Sequence, residues 1–334
     1  MAEESIVGGE ASGTSVDTFT HFGARDVPVP DTVSPDLQRA ISAGFKGLEP
    51  PYPQTNEEWH SAFADHDEQL KLVARLLDEH ALTLEPRDIG GVGCFEIRPA
   101  GPTDGVSDKL LINIHGGGFV LGGGKGGTVE AILMCAVSRM PVLTIDYRLA
   151  PRFPFPAAID DCKAVWRHLS STSDPRRMAL FGSSAGGGII LSLIQRSIAE
   201  GLPIPAAISV GTPWSDLTKT GDSYFINQAG AQAYDGPLAL MAQHYAGALD
   251  LRDARLSPIY GKFEGFPPTI LTSGTRDIFL SNTVRVDQKL RDEGIETSLL
   301  VLEGQAHAAY LDPNLPESWW TFREMHKFLR RFLQ

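Results

Sequence analysis

Residues 177–195 read RMALFGSSAGGGIILSLIQ, an apolar run and a helix-like run joined by small residues. The first run predicts a buried β-strand, and the second has the length and apolar spacing of a helix. Between them Gly182, Ser183, Ser184, Ala185 and Gly186 form a GxSxG sequence. A serine at such a turn has a strained backbone, and small neighbours let the strand and the helix approach closely. The stretch predicts that Ser184 is a nucleophile, and a glycine-rich turn in an ordinary βα unit is the alternative.

On both sides of this turn, short apolar runs alternate with amphipathic stretches. The runs cover residues 93–99, 109–115, 141–147, 177–182, 206–212, 269–274 and 297–304, and the helical stretches cover 129–139, 157–169, 185–200, 283–293 and 318–332. This alternation is typical of an α/β protein with a mostly parallel central sheet flanked by helices. In such a sheet the ligand site lies beyond the carboxyl ends of the strands.

A run of glycines follows the strand predicted at 109–115. His115 precedes Gly116, Gly117 and Gly118. Consecutive glycines can turn backbone N–H groups into a cavity, so we expect Gly117 and Gly118 to form an oxyanion hole with the N–H of Ala185. A phosphate-binding loop is disfavoured, because there is no GK[ST] ending and the glycine-rich residues 122–128 do not follow a strand directly.

The partners of a serine nucleophile at such a turn follow it along the chain, first an acid and then a histidine. Asp277 comes after an apolar strand and before a helix, where a carboxylate can orient an imidazole; Asp216 has a similar position and is the rival. His307 lies in a loop of small residues after the last strand, whereas His244 and His326 fall in helical stretches. We therefore predict a triad of Ser184, Asp277 and His307, with no metal.

With these residues in place, the chain resembles the hormone-sensitive lipase family of esterases, in its bacterial HGGG-containing branch. The resemblance rests on HGGGF at 115–119, DYRLAP at 146–151, FPFPAAIDD at 153–161, GSSAGG at 182–187 and the late Asp and His. It implies an α/β-hydrolase fold under an N-terminal helical cap, hydrolysis of short-acyl esters without a cofactor, and a possible homodimer. It also implies the same triad and the same oxyanion hole.

The chain departs from the family pattern around the site. Ser183 stands where the family commonly has aspartate, and Ala308 and Ala309 stand where Gly-Phe is common, which opens space beside the acyl site. These departures weaken the transfer of a substrate preference. Candidate substrate-binding residues near the motifs are Phe119, Val120, Ser183, Trp214 and Ala308; of these, Phe119, Val120 and Trp214 could equally belong to the core.

The chain order suggests a domain organisation. Residues 1–20 are predicted to be a flexible arm, 21–85 an N-terminal helical cap in which Ser34 caps a helix, and 86–334 the catalytic α/β-hydrolase domain. Residues 218–257 interrupt the alternation and are a possible second cap segment.

Composition excludes several classes of function. A net charge of −12 disfavours nucleic acid as a partner, because such binding relies on Lys and Arg. No apolar stretch approaches the roughly 20 residues needed to span a bilayer, so stable membrane insertion is not expected. The N-terminal sequence is not typical of a secretory signal, which favours a cytoplasmic location and free, buried cysteines.

Two alternatives to ester hydrolysis stay open. The same triad could hydrolyse lactones, carbamates or amides, or the protein could be a non-catalytic receptor on this fold, although such receptors typically lose the catalytic histidine.

Overall fold

An eight-stranded mixed sheet forms the centre of the protein. The structure is a computed structural model that describes residues 26–44, 51–62, 66–101, 108–227 and 234–334. The strands are β1 Leu82–Ile89, β2 Val92–Pro99, β3 Leu110–Ile114, β4 Val142–Ile145, β5 Met178–Ser183, β6 Ala207–Gly211, β7 Thr269–Gly274 and β8 Thr297–Leu302. Their order is β1-β2-β4-β3-β5-β6-β7-β8. The pairs β1–β2 and β2–β4 are antiparallel, and the other neighbours are parallel. The predicted mostly parallel α/β sheet is confirmed.

Helices cover both faces of this sheet. They are α1 Pro35–Ala43, α2 Asn56–Ala62, α3 His66–Glu79, α4 Val129–Ser138, α5 Ala157–Thr172, α6 Ala185–Ala199, α7 Ser223–Ile226, α8 Ala239–Ala246, α9 Leu280–Asp292 and α10 Pro316–Arg330. Successive strand residues point to opposite faces. In β3, Leu111 packs in one apolar cluster with α4 and α10, and Ile112 packs in another with α5 and α6. Burial on both faces explains why the central strands read as continuous apolar runs.

The first strand begins earlier than the sequence indicates. The strand β1 starts at Leu82, inside the range assigned to the cap and ahead of the first predicted run. It lies at the edge of the sheet, and most of its residues are exposed. Its sequence LTLEPRDI is therefore polar and contains Pro86, which an edge strand tolerates because one side needs no ladder hydrogen bonds. Only its pairing with β2 identifies it as a strand.

The N-terminal helices pack on the catalytic part of the chain. Ser34 caps α1 by accepting a hydrogen bond from the N–H of Leu37 at 3.2 Å, as predicted, and it also donates to Glu317 of α10. Val73 of α3 is buried in the cluster that contains α4 and α10. The predicted arm 1–20 lies outside the described residues, and the division into cap and catalytic domain stays a prediction.

The second predicted cap segment contains α7, a short irregular helical turn Tyr234–Leu238 and α8, with 228–233 outside the described residues. Within the described ranges, no helix combines the length and the apolar character needed to cross a membrane.

All three cysteines are free and buried, as expected. Burial raises the pKa of Cys94 and of Cys135 to about 12, so these thiols are unreactive near neutral pH.

Candidate active site

Loops at the carboxyl ends of five parallel strands meet at one edge of the sheet. The glycine loop follows β3, Ser184 follows β5, Thr212 follows β6, Asp277 follows β7 and His307 follows β8. Because parallel strands end at the same edge, the fold brings together residues that are far apart in sequence.

A sharp turn between β5 and α6 presents Ser184. Its backbone has φ 56° and ψ −120°, a conformation that costs a residue with a Cβ about 1–3 kcal/mol. Hydrogen bonds hold the turn: the N–H of Ser184 donates to Gly211 at 2.8 Å, and its carbonyl accepts from Trp214 at 2.9 Å. A Cβ at Gly186 would lie 1.9 Å from the carbonyl oxygen of Ile114, so only glycine permits this approach. The turn thus has the geometry that the GxSxG sequence predicts.

Of the three residues predicted as a triad, His307 contacts both of the others. The Nε2 atom of His307 lies 2.9 Å from the Oγ atom of Ser184, and its Nδ1 atom lies 3.0 Å from the Oδ1 atom of Asp277. Asp277 is completely buried, whereas the side chain of His307 retains 16% exposure. Nδ1–H can therefore donate to the carboxylate while Nε2 accepts the serine proton.

Four donors surround the carboxylate of Asp277. Besides His307, its oxygens accept from the hydroxyls of Thr212 at 2.5 Å and Ser273 at 2.6 Å and from the N–H of Phe279 at 2.8 Å. Burial favours the neutral acid, but the charge interaction with His307 and the hydrogen bonds from His307, Ser273 and Thr212 hold the pKa of Asp277 below its ordinary value. Asp277 is therefore ionised at neutral pH.

Sequence reasoning missed Thr212. Its Oγ1 atom lies 2.7 Å from the Nδ1 atom of His307 as well as 2.5 Å from Asp277, so it touches both of these side chains. The signal for it in the sequence is its position directly after an apolar strand, four residues before Asp216. Asp216 instead forms a buried ion pair with Arg285 at 2.7 Å and accepts from Tyr260. That pairing removes it as a rival to Asp277.

The glycine loop approaches the serine from the end of β3. Gly117 has φ 108° and Gly118 has φ 60°, and a Cβ on Gly117 would lie 2.3 Å from the carbonyl oxygen of Leu121. Within the described ranges, the backbone N–H groups of Gly117, Gly118 and Ala185 have no hydrogen-bond acceptor. The loop is anchored by Tyr147, which stacks on His115 and donates to its carbonyl at 2.8 Å.

An aromatic cluster backs this site. Phe119, predicted to bind substrate, stacks on Tyr245 with ring centres 3.8 Å apart and also contacts Trp214, which in turn contacts Phe279. Phe119, Val120 and Trp214 are all buried in the core cluster that includes α6. Phe279 meets His307 edge-on at 4.6 Å. These side chains thus pack behind the site, and their part in substrate binding stays a prediction.

The two unusual residues noted in the sequence have different surroundings. Ala308 is partly exposed and adopts a left-handed conformation with φ 55°. Ser183 is fully buried, and its hydroxyl is bonded to Glu130 and Tyr310. The prediction that Ser183 binds substrate is corrected, because successive residues of a strand point to opposite faces and its hydroxyl is enclosed in the protein interior.

Comparisons with known proteins agree with this architecture. A family described as having the alpha/beta hydrolase fold matches residues 111–311. The chain belongs to this family. An acetyl-hydrolase of Streptomyces hygroscopicus is 30% identical over 75% of this chain and 84% of its own length. The crystal structure of an esterase has 38% identity and a TM-score of 0.88, covering 95% of this chain and all of that one.

A further crystal structure, of an esterase from the bacterial hormone-sensitive lipase family, has 27% identity and a TM-score of 0.77 over 90% of this chain and 99% of its own. The family resemblance drawn from the motifs is therefore confirmed, as are the α/β-hydrolase fold and the serine carboxylesterase class.

Proposed function

We propose that this α/β-hydrolase cleaves short-acyl carboxylic esters through a covalent acyl-enzyme on Ser184. The observation that carries the proposal is the aligned series of contacts in which His307 reaches Ser184 at 2.9 Å and Asp277 at 3.0 Å. A serine and a histidine within hydrogen-bond reach, with the histidine oriented by a third group, are the signature of nucleophilic catalysis.

The reaction proceeds in two displacements. His307 Nε2 takes the proton of Ser184 as Oγ forms a bond to the ester carbonyl carbon, and the carbonyl electron pair moves onto its oxygen. When this intermediate collapses, the bond to the alcohol oxygen breaks and that oxygen takes the proton from Nε2. Water then attacks the acyl-enzyme by the same route, releasing the carboxylic acid and restoring Ser184. Asp277, ionised and buried, stabilises the charged imidazole in both displacements.

The N–H groups of Gly117, Gly118 and Ala185 are the donors to the oxyanion. They have no other acceptor in the described part of the chain, and Ala185 is the first residue of α6, where unpaired amides and the helix dipole favour negative charge. One such donor contributes about 3 kcal/mol to transition-state stabilisation.

The choice of short acyl groups is supported by the filled space around the glycine loop. Met241 of α8 lies against Gly118, since a Cβ on that glycine would be 2.3 Å from its Sδ atom. The aromatic cluster of Phe119, Trp214 and Tyr245 is packed without access to solvent. We therefore expect a small acyl group to bind without rearrangement of these side chains and a long acyl chain to require it.

Replacing Ser184 by alanine tests the proposal. We expect Ser184→Ala to abolish hydrolysis of p-nitrophenyl acetate and labelling by a fluorophosphonate probe. Ser209→Ala is the matched control, because Ser209 is an equally buried serine in the neighbouring strand whose hydroxyl has no partner among the described residues. Unchanged turnover in Ser184→Ala would refute the assignment, and an unlabelled wild-type serine would favour a non-catalytic receptor.

A substrate panel tests the class of substrate. We expect turnover to fall along p-nitrophenyl acetate, butyrate, octanoate and laurate. Lactones, carbamates and amides use the same triad, so faster turnover of one of these than of any ester would replace the proposed substrate. The homodimer and the cytoplasmic location stay predictions, to be checked by light scattering and by cell fractionation.

A further inference from the structure

Ser183, the residue before the proposed nucleophile, joins a buried polar cluster that the ester hydrolysis described above does not use. Its hydroxyl donates to the Oε1 atom of Glu130, a residue in the first turn of α4. Glu130 is 4% exposed. The family commonly has a carboxylate at position 183 itself, whereas in this chain a carboxylate reaches position 183 from α4.

Several elements converge on this pair. The hydroxyl groups of Ser183 and Tyr310 are 2.5 Å apart, and Asn113 of β3 donates to the Oε2 atom of Glu130 at 3.2 Å. Thr144 of β4 in turn donates to Asn113 at 2.9 Å. All of these side chains are buried, so each hydrogen bond is made without competition from water.

The cluster joins the two chain segments that carry the proposed nucleophile and base. Ser183 is bonded covalently to Ser184, and Tyr310 lies three residues after His307 in the same loop. Their mutual hydrogen bond ties these segments together on the buried side of the site. The contact between His307 and Ser184 on the exposed side depends on the same two segments, and a displacement of about 1 Å there can cost roughly a hundredfold in rate.

Counting protons shows which state of Glu130 completes the cluster. When Glu130 is ionised, Asn113 and Ser183 donate to it and Tyr310 donates to Ser183, so every proton has an acceptor. When Glu130 is neutral, the hydroxyls of Glu130, Ser183 and Tyr310 carry three protons for two contacts, so one of these protons has no acceptor within the cluster. Burial raises the pKa of Glu130 to about 7, while the hydrogen bonds from Ser183 and Asn113 oppose that rise. The phenols of Tyr310 and Tyr147 are the titratable groups that interact with it.

We propose that Glu130, Ser183 and Tyr310 form a positioning unit that holds the serine turn and the histidine loop in register. None of the three touches the ester; each acts through Ser184 or His307. The inference rests on the proposed function of those two residues. It also accounts for Ser183 at this place in the motif, because a carboxylate there would face the carboxylate of Glu130.

The first test removes one hydroxyl. We expect Tyr310→Phe to lower kcat for p-nitrophenyl acetate about tenfold with KM changed less than about twofold, and to slow fluorophosphonate labelling of Ser184 equally. The control is Tyr224→Phe, in which a fully buried tyrosine outside the unit loses hydrogen bonds to Asp216 and Asn282. It should lower the Tm comparably and leave kcat unchanged. A lower Tm with wild-type kcat in Tyr310→Phe would overturn the proposal.

The second test moves the carboxylate. In Ser183→Asp alone, the new carboxylate faces that of Glu130 across a buried contact, so this variant should lose activity. The double variant Glu130→Gln/Ser183→Asp should have a kcat at least tenfold higher than that of Ser183→Asp. Tenfold is about the effect on rate of losing a single hydrogen bond to a charged group. No recovery in a folded double variant overturns the unit. Labelling of Ser184 reports on this unit without any ester substrate, whereas Ser184→Ala reports on the proposed function, so the two failures are distinguishable.

Discussion

Thr212 offers the sharpest test of the roles proposed for His307 and Asp277, because its hydroxyl touches both side chains. It donates to Asp277 at 2.5 Å and lies 2.7 Å from His307 Nδ1. Thr212→Val removes the hydroxyl and keeps the branched shape at a backbone φ of 39°. A hydrogen bond to a charged group contributes about 1.5–3 kcal/mol. If the whole of this free energy stabilises the transition state, kcat/KM of Thr212→Val falls about tenfold to a hundredfold.

The direction of the pH effect follows from the same contact. The hydrogen bond from Thr212 is one of the interactions that lower the pKa of Asp277. Its removal raises that pKa, so the variant should lose activity at a higher pH on the acid side than the wild type does. The assay is kcat/KM for p-nitrophenyl acetate as a function of pH.

Two variants control this experiment. Thr212→Ser keeps the hydroxyl and should retain most of the activity. Thr272→Val makes the same change in the adjacent strand, at a buried hydroxyl with no hydrogen-bond partner among the described residues, and should be neutral or stabilising. The reasoning is refuted if Thr212→Val and Thr272→Val have the same kcat/KM, or if Thr212→Ser is as impaired as the valine variant.

Three further predictions concern stability and specificity. Because burial raises the pKa of Glu130 to about 7, folded Glu130 keeps its proton to higher pH than unfolded Glu130, and its contribution to stability falls as pH rises from about 4.5 to 7. In urea unfolding, the wild type should lose about 2–3 kcal/mol relative to Glu130→Gln between about pH 5 and pH 8, and a constant difference would contradict this. Met241→Ala should open space at Gly118 and raise relative turnover of p-nitrophenyl octanoate over acetate; an unchanged acyl profile would exclude Met241 as the limit. Ala308→Gly should stabilise the protein by about 1 kcal/mol by relieving the left-handed conformation, seen as a higher Tm, and a lower Tm would show that the Cβ contributes more through packing.

Local patterns were sufficient for the serine turn and for most of the sheet. A strand, small residues and a helix in that order predict the backbone around Ser184, since the strain and the close approach at Gly186 restrict which residues fit. Chain order then selected Asp277 and His307. The edge strand β1 escaped prediction because its residues face solvent and its identity lies in the pairing with β2.

The sequence by itself determined the fold class, the turn that carries Ser184 and the choice of Asp277 and His307 as its partners, because each depends on a short stretch of chain with a fixed backbone requirement. Tertiary structure decided the surroundings. Thr212 joins Asp277 and His307, and Glu130 meets Ser183, only because strands β3 to β8 end at one edge and α4 packs behind them. Hydrogen bonds between residues 53 to 127 positions apart leave no local pattern in the sequence. The sequence thus identifies Ser184 and its two predicted partners, whereas Thr212, Glu130 and the other side chains around them are identified only by the tertiary structure.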